Sequence, residues 1–295
     1  KCDIDYETIA KNVLKETGYK ENYEVLIKVN KQSSEINAAV TKKDGEIAAG
    51  DQGIMFGFAC DETDELMPTP IYYAHKLALK LRDIHKKYDE LGPDGKTQVT
   101  VRYIDNVVNS IDSIVISTQH SPNTDLETIK EIIINEVINP TIPKSLITSD
   151  TKYLINPSGS FIVGGSFGDS GTTGRKIVCD TYGGYSRVGG GCLSSKDPSK
   201  VDRSTAYYCR YVAKNIVAYG LARKCEIGVS YAIGCVNPIS IFIDTFGTST
   251  LPEEQLEEII SKNFDFSVTN IINELDLCRP IYAETSCCGH FGRNI

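Results

Sequence analysis

The sequence predicts an α+β fold made of repeated units, each a helix, a β-hairpin and a second helix. Helical periodicity alternates with period-two strand runs, the same element order occurs twice, and both sets keep one spacing. Gln98 and Glu226, Ile111 and Ile239, and Thr124 and Pro252 stand at corresponding places, and each pair is 128 positions apart. Residue identity between the sets is low, so the repeat is one of architecture.

The chain opens inside what reads as structure. Asp5–Lys20 is a helix with Ile9, Val13 and Leu14 facing inward and a stop near Gly18, and Tyr23–Val29 is the strand after it. That is how a unit ends, so a first helix and hairpin are expected upstream of Lys1. Pro70–Tyr88 is the next helix, with Ile71, Ala74, Ala78, Leu81 and Ile84 on one face. Gln98–Ile104 alternates Val99, Val101 and Tyr103 against polar neighbours, as a half-buried strand does, and Ile111–Ser117 is its partner. Asn123–Ile138 is then a helix led by capping residues, carrying Leu126, Ile129, Ile133 and Val137 inward. In the second set, Ser204–Gly220 is a helix closed by its glycine, and Glu226–Gly234 and Ile239–Phe246 are strands. Ser249–Phe264 is a helix with Ser249 or Thr250 as cap and Pro252 in its first turn. Gly- and Ser-rich stretches at about 31–53 and 156–195 are the joints, where sites commonly form.

The 295 residues are 41% hydrophobic and 24% charged, a soluble globular profile. A net charge of −8 argues against a global pull toward nucleic acid or anionic lipid, so any bound anion needs a local cluster of cations. No apolar run reaches the roughly 18–20 residues of a membrane span, and no signal peptide is visible. Ten cysteines are irregularly spaced and include no CxxC pair, which reads as free thiols in a reducing compartment. A cytoplasmic protein without membrane or nucleic-acid partners is expected.

Four loop clusters carry the candidate chemistry. Ala48–Ala59 flanks Asp51 and Gln52 with glycines, which fits either close approach to a ligand or an ordinary turn before a strand. Pro93-Asp94-Gly95 is a turn signal presenting Lys96 at a strand's start, as a ligand or as a solvated lysine. Gly164–Gly184 holds Asp169 and the adjacent Arg175 and Lys176; if the apolar run after them is a strand, these two cations point to opposite faces. Gly189–Asp202, "GGGCLSSKDPSKVD", joins bare glycine amides to Lys196, Lys200 and a helix N-terminus. It lacks the order GxxxxGK[ST] of a Walker A loop. Asp202 is either that helix's N-cap alone or a cap and metal ligand together. These cations and carboxylates fit a polyphosphate bound with Mg²⁺. His75, His85, His120 and His290 pair with no recognisable nucleophile and read as structural or surface histidines. The residues by themselves reach a nucleotide-phosphate site with electrostatic catalysis.

The segments "GDQGIMFG", "PDGKTQV", "GDSGTTGRKI", "DTYGG", "KDPSKVDRSTAY", "VSYAIG" and "GHFGR" resemble the S-adenosylmethionine synthetase (methionine adenosyltransferase) family, in the family's order and over nearly the whole chain. The resemblance implies a pseudo-threefold repeat of β-α-β-β-α-β units, the first incomplete in this chain. It divides the sequence into a remnant of the N-terminal unit (1–32), a mobile gating loop (33–47), a central unit (48–163) and a C-terminal unit (164–295). It implies that methionine sulfur attacks C5′ of ATP and expels triphosphate, which is then hydrolysed to diphosphate and phosphate. Such a displacement needs alignment and stabilisation of a leaving group gathering charge, and no base.

By motif, Lys96, Arg175, Lys176 and Lys196 would be the catalytic cations. ATP would meet Asp94, Gly95, Lys96, Asp169 and Cys192, with Phe161 and Ser160 at the adenine and Arg175, Lys176 and Lys196 on the triphosphate. Methionine would be held by Gln32, Asp51, Asp169 and Lys200, and Asp202 would ligate Mg²⁺, with K⁺ as the monovalent cofactor. The family's sites are shared across a homodimer, and whether dimers pair into tetramers is left open.

The chain departs from the family pattern in places. The upstream His-x-Pro-Asp-Lys segment and the acidic residues linked to methionine and potassium are absent, as is the Trp-containing tail after "GHFGRNI". "GGGCLSSKD" stands for the family's "GGGAFSGKD", Ser160 for its usual Arg, and "TSCCGHFGR" for "TAAYGHFGR". Altered affinity or inhibitor selectivity is expected from these changes. The alternative is a noncatalytic relative or fragment that binds nucleotide or forms dimers without chemistry.

Overall fold

The computed structural model describes residues 4–40, 42 and 45–293. Its elements begin with α1 (Tyr6–Thr17), α2 (Ser34–Val40), β1 (Gly53–Cys60) and α3 (Thr69–Ile84). The long strands β2 (Leu91–Ile104) and β3 (Val107–His120) follow, then α4 (Leu126–Ile132), which continues as π-helical turns over Ile133–Ile138. After α5 (Asn139–Thr141), β4 (Lys152–Ile155) and α6 (Ile177–Asp180) come α7 (Val201–Ala218), β5 (Lys224–Tyr231), β6 (Ser240–Asp244), α8 (Glu253–Asn263) and α9 (Val268–Glu274). Helix, antiparallel hairpin and helix thus occur twice, as α3-β2-β3-α4 and α7-β5-β6-α8. The chain is an α+β protein, with two small sheets among the described residues.

Two compact units are formed, Lys1–Gln32 with Tyr73–Gly171, and Ser33–Tyr72 with Thr172–Ile295. In the first, β2 and β3 pair antiparallel and β4 joins β3 in parallel. Leu77, Leu81 and Ile84 of α3 and Ile129, Ile133 and Val137 of the α4 segment are buried, together with Val99, Ile114 and Ile116 of the strands. The inward face of α3 uses Leu77, while Ala78 is half-buried. Leu126, expected inward, is exposed, because Asp125 is the N-cap and puts it at the helix's solvated start.

In the second unit the sheet order is β1-β5-β6, antiparallel throughout, with α7 packed on one face. The packing is close. A Cβ on Gly57 would lie 2.1 Å from the backbone of Cys209 and Arg210, so no side chain fits where β1 crosses α7. The outer edge of β1 is also occupied: Phe58 N–H donates to Tyr182 Oη at 2.9 Å, and Arg210 Nη1 donates to Phe58 O at 2.7 Å. Burial pushes the thiols of Cys60 and Cys225 up to about 12, which leaves them as packing groups. Across the face turned away from α7, Phe56, Gly228 and Phe242 form one row, and Ile54 and Phe242 are exposed.

Several local expectations are corrected. Tyr23–Val29 makes no ladder among the described residues, and Leu26, Ile27 and Val29 stand exposed. Helix α1 has Asp5 as cap and ends at Gly18, but it buries no residue; Ile9 and Val13 face solvent. Pro93–Gly95 is not a turn; it lies inside β2, at a register shift between Leu91 and Gly95, where a bulge tolerates proline's missing donor. The run after Lys176 is a single helical turn and not a strand, so the opposite-face argument for Arg175 and Lys176 lapses. Pro252 occupies the N-cap position of α8 in place of Ser249 or Thr250, whose hydroxyls bond Leu221 O.

Candidate active site

The second unit assembles its polar cluster where the glycine-rich loop meets the start of α7. Gly191 passes so close to the helix that a Cβ there would stand 2.0 Å from Asp202 Oδ1. A side chain at 191 would have to displace the Asp202 carboxylate. Ser195 follows in the left-handed region at φ 68°, at the very place where the family's motif has glycine.

Lys200, and not Asp202, is the N-cap of α7, and its side chain makes no capping bond. Asp202 lies within the first turn, where a carboxylate suits the helix's positive end. Its Oδ2 accepts from Lys196 Nζ at 2.5 Å, and the two side chains are only 12% and 25% exposed. Burial pulls the Lys196 ammonium down, but the hydrogen bond and charge of Asp202, aided by Cys192 and Asp51, outweigh it and raise the pKa overall. Lys196 is therefore protonated at neutral pH. Lys200 Nζ sits 3.2 Å from where a Gly50 Cβ would be, next to Asp51 in sequence. Asp51, Cys192, Lys196, Lys200 and Asp202 are thus gathered on one unit. Arg175 and Lys176 are exposed, and neither side chain makes a hydrogen bond or ion pair among the described residues.

The peptide that carries Lys196 is anchored from below. Ser194 Oγ meets His290 Nε2 at 3.0 Å, and His290 Nδ1 meets Tyr207 Oη at 2.7 Å. Arg203 Nη1 donates to Lys196 O at 2.8 Å, while its Nε donates to Tyr207 Oη at 3.2 Å.

The first unit holds the other group. Asp94 Oδ2 accepts from Gly165 N at 2.8 Å, and Asp94 N donates to Gln119 Oε1 at 3.3 Å. Gln119 Nε2 donates onward to Ile162 O at 3.0 Å. Phe161 is pinned to the end of β3: His120 N donates to Phe161 O at 2.8 Å, and Phe161 N donates to His120 Nε2 at 3.0 Å. Because Nε2 accepts, Nδ1 must carry the proton it donates to Ser121 O at 2.9 Å. Lys96 is exposed in β2, beside Gly95 and opposite Ser117. The side chains of Ser160, Asp169 and Gln32 are exposed. Of the expected gating loop, Thr41, Lys43 and Asp44 lie outside the described residues.

His120 and His290 are structural histidines, buried and bonded at both ring nitrogens, in line with the sequence reading. That reading missed their place beneath site loops, and it missed Gln119, Ser194 and Arg203 altogether. "GHFGR" and "VDRS" were visible as motifs, but nothing in their spacing links them.

Among the described residues no group of three or more His, Cys, Asp or Glu side chains could hold a metal. Asp202 has the chemistry for a hard cation completed by phosphate oxygens and water; here its Oδ2 is bonded to Lys196 and its Oδ1 lies against the Gly191 backbone.

Comparison with known proteins gives the family. Residues 46–161 match the family model "S-adenosylmethionine synthetase, central domain", and residues 163–295 match "S-adenosylmethionine synthetase, C-terminal domain". The S-adenosylmethionine synthase of Desulfosudis oleivorans is 51% identical over 98% of this chain and 78% of its own length. That of Sorangium cellulosum is 49% identical over 99% of this chain and 72% of its own length. With both domain models matched and half of all aligned residues shared, the chain belongs to the S-adenosylmethionine synthetase family.

Proposed function

We propose how this chain's residues serve methionine adenosyl transfer, the activity that membership of the family gives it. The substrates are ATP and methionine. The sulfur lone pair forms the new bond to C5′ while the C5′–O bond breaks and its electrons leave with the triphosphate. No proton has to move in that step, so the residues needed are cations aimed at the departing oxygens.

The observation that carries the assignment is the protonated Lys196, bonded to Asp202 in a cradle of bare glycine backbone at the N-terminus of α7. A helix start with an adjacent ammonium is suited to a polyphosphate. Lys196, Arg175 and Lys176 clamp the triphosphate, with Lys96 near the reacting carbon. Asp94, Gly95, Cys192 and Asp169 contact ATP, and Phe161 lies against the adenine beside Ser160. Gln32, Asp51, Asp169 and Lys200 hold the methionine. The segment boundaries at 32, 47 and 163 remain our division of the chain, with 33–47 as the gate.

The family uses divalent and monovalent cations; we assign these as Mg²⁺ and K⁺. Asp202 is the residue here that would hold Mg²⁺, whose charge adds to that of the lysines. K⁺ is assigned no ligand in this chain. The sheet face that carries exposed Ile54 and Phe242, with half-buried Phe56 between them, supports a homodimer with shared sites. No helix among the described residues is long and apolar enough to cross a membrane, and the free cysteines favour a reducing compartment, which we take to be the cytoplasm.

A direct assay tests the reading: S-adenosylmethionine formed from ATP and methionine with Mg²⁺ and K⁺, and its loss on chelation. Lys196→Ala is expected to slow turnover by roughly 10²–10³ while the fold persists. Normal turnover in that variant would remove Lys196 from the clamp.

A further inference from the structure

We propose that Ser194 and His290 are positioning residues for Lys196, acting through a directional hydrogen-bond chain that starts at Arg203. The inference rests on the role given to Lys196 above. It draws on the "GHFGR" motif, which the reaction itself leaves without a task.

The direction of the chain follows from its donors. Arg203 has only donors, and its Nε–H is given to Tyr207 Oη. The tyrosine hydroxyl, having accepted, is set to donate its own proton to His290 Nδ1. His290 then carries its proton on Nε2 and donates it to Ser194 Oγ. Arg203 also grips the same peptide directly, through Nη1 to Lys196 O. Ser194 and Lys196, two residues apart, are thus both fixed from the same guanidinium, one through the relay and one by direct contact.

The hub is rigid for stated reasons. Ser194, Arg203 and His290 are all buried, and Leu193 beside them is 2% exposed. Arg203 stacks over Tyr282, 4.2 Å from the ring centroid, and donates to Thr285 Oγ1 at 3.2 Å. His290 N donates to Asp180 O at 2.9 Å, tying the hub to the "DTYGG" segment. Buried polar chains of this kind hold one geometry because each broken link leaves an unsatisfied group. Lys196 itself sits on the strained turn at Ser195, which has no side-chain bond among the described residues to hold it. The anchoring at 194 and at the carbonyl of 196 fixes the backbone from which the ammonium reaches Asp202.

A functional double-mutant cycle in the full enzyme tests this. Ser194→Ala is expected to lower kcat about tenfold, the scale of one lost hydrogen bond, with the KM for methionine unchanged. Ser194→Thr, which keeps the hydroxyl, restores it. Hydrolysis of added tripolyphosphate falls in parallel. In a Lys196→Ala background the same serine change has no further effect on either rate. Equal fractional losses in both backgrounds, or no loss in the parent, overturn the proposal while leaving the function of Lys196 intact. A silent Lys196→Ala overturns the function assigned above instead. Should Ser194→Ala fail to fold, Tyr207→Phe, which cuts the relay one link earlier, runs the same cycle with the same two outcomes.

Discussion

Gly191→Ala adds one methyl group and no charge, yet it strikes at the ion pair of the site. The new carbon would stand 2.0 Å from Asp202 Oδ1 and 2.2 Å from its Cγ, about 1.5 Å inside a relaxed van der Waals separation. The loop has little room to retreat, because a Cβ on Gly189 already falls 2.2 Å from Ile54 O. Asp202 is fixed in the first turn of α7, so its carboxylate must rotate, and rotation breaks the 2.5 Å bond to Lys196. Overpacking of this kind costs about 1–3 kcal/mol of stability, and a misaligned cation costs roughly 10²–10³ in turnover. Urea unfolding and S-adenosylmethionine formation would be measured for the parent, Gly191→Ala, Asp202→Ala and the double variant. Asp202→Ala removes the two nearest atoms and leaves only Cβ, at 2.8 Å. The methyl is therefore expected to destabilise that background by less than half as much. Equal destabilisation in both backgrounds would refute the claim that the glycine is kept bare for the carboxylate.

Ser195→Gly is expected to raise stability by a few tenths to about 1 kcal/mol, since the left-handed backbone at φ 68° is strained for serine and free for glycine. A melting temperature that falls would contradict this. Phe242→Glu places a charge on the exposed apolar sheet face, and self-association measured by sedimentation should weaken at least about tenfold. An unchanged sedimentation profile would rule that face out as the dimer contact.

What could be read ahead of the structure was periodic or local. The α7 helix, the two hairpins and the 128-residue spacing follow from alternation and capping, which short windows record. What could not be read depended on partners. Tyr23–Val29 has the composition of a strand, but a strand needs a neighbour to pair with, and composition does not supply one. Pro93-Asp94-Gly95 has turn chemistry that a bulge uses equally well. Asp202 looked like a cap because caps are counted from the first helical residue, and α7 begins two residues earlier than that reading requires. The candidate cations were legible as motifs, whereas the supports beneath them were not. His290 and Ser194 are 96 positions apart, and no window spans that.

The sealed margin of β1 bears on how copies of the chain meet. With the Phe58 amide and carbonyl taken by Tyr182 and Arg210, that margin offers no template for adding a strand, so growth into a continuous ribbon is blocked on that side. The proposed dimer contact through the face of Ile54 and Phe242 is one of broad faces laid one on another, an arrangement that two-fold symmetry completes at two copies. Tyr182→Phe, though it touches no substrate, is then a change whose harm would surface as clumping before it surfaced as lost catalysis.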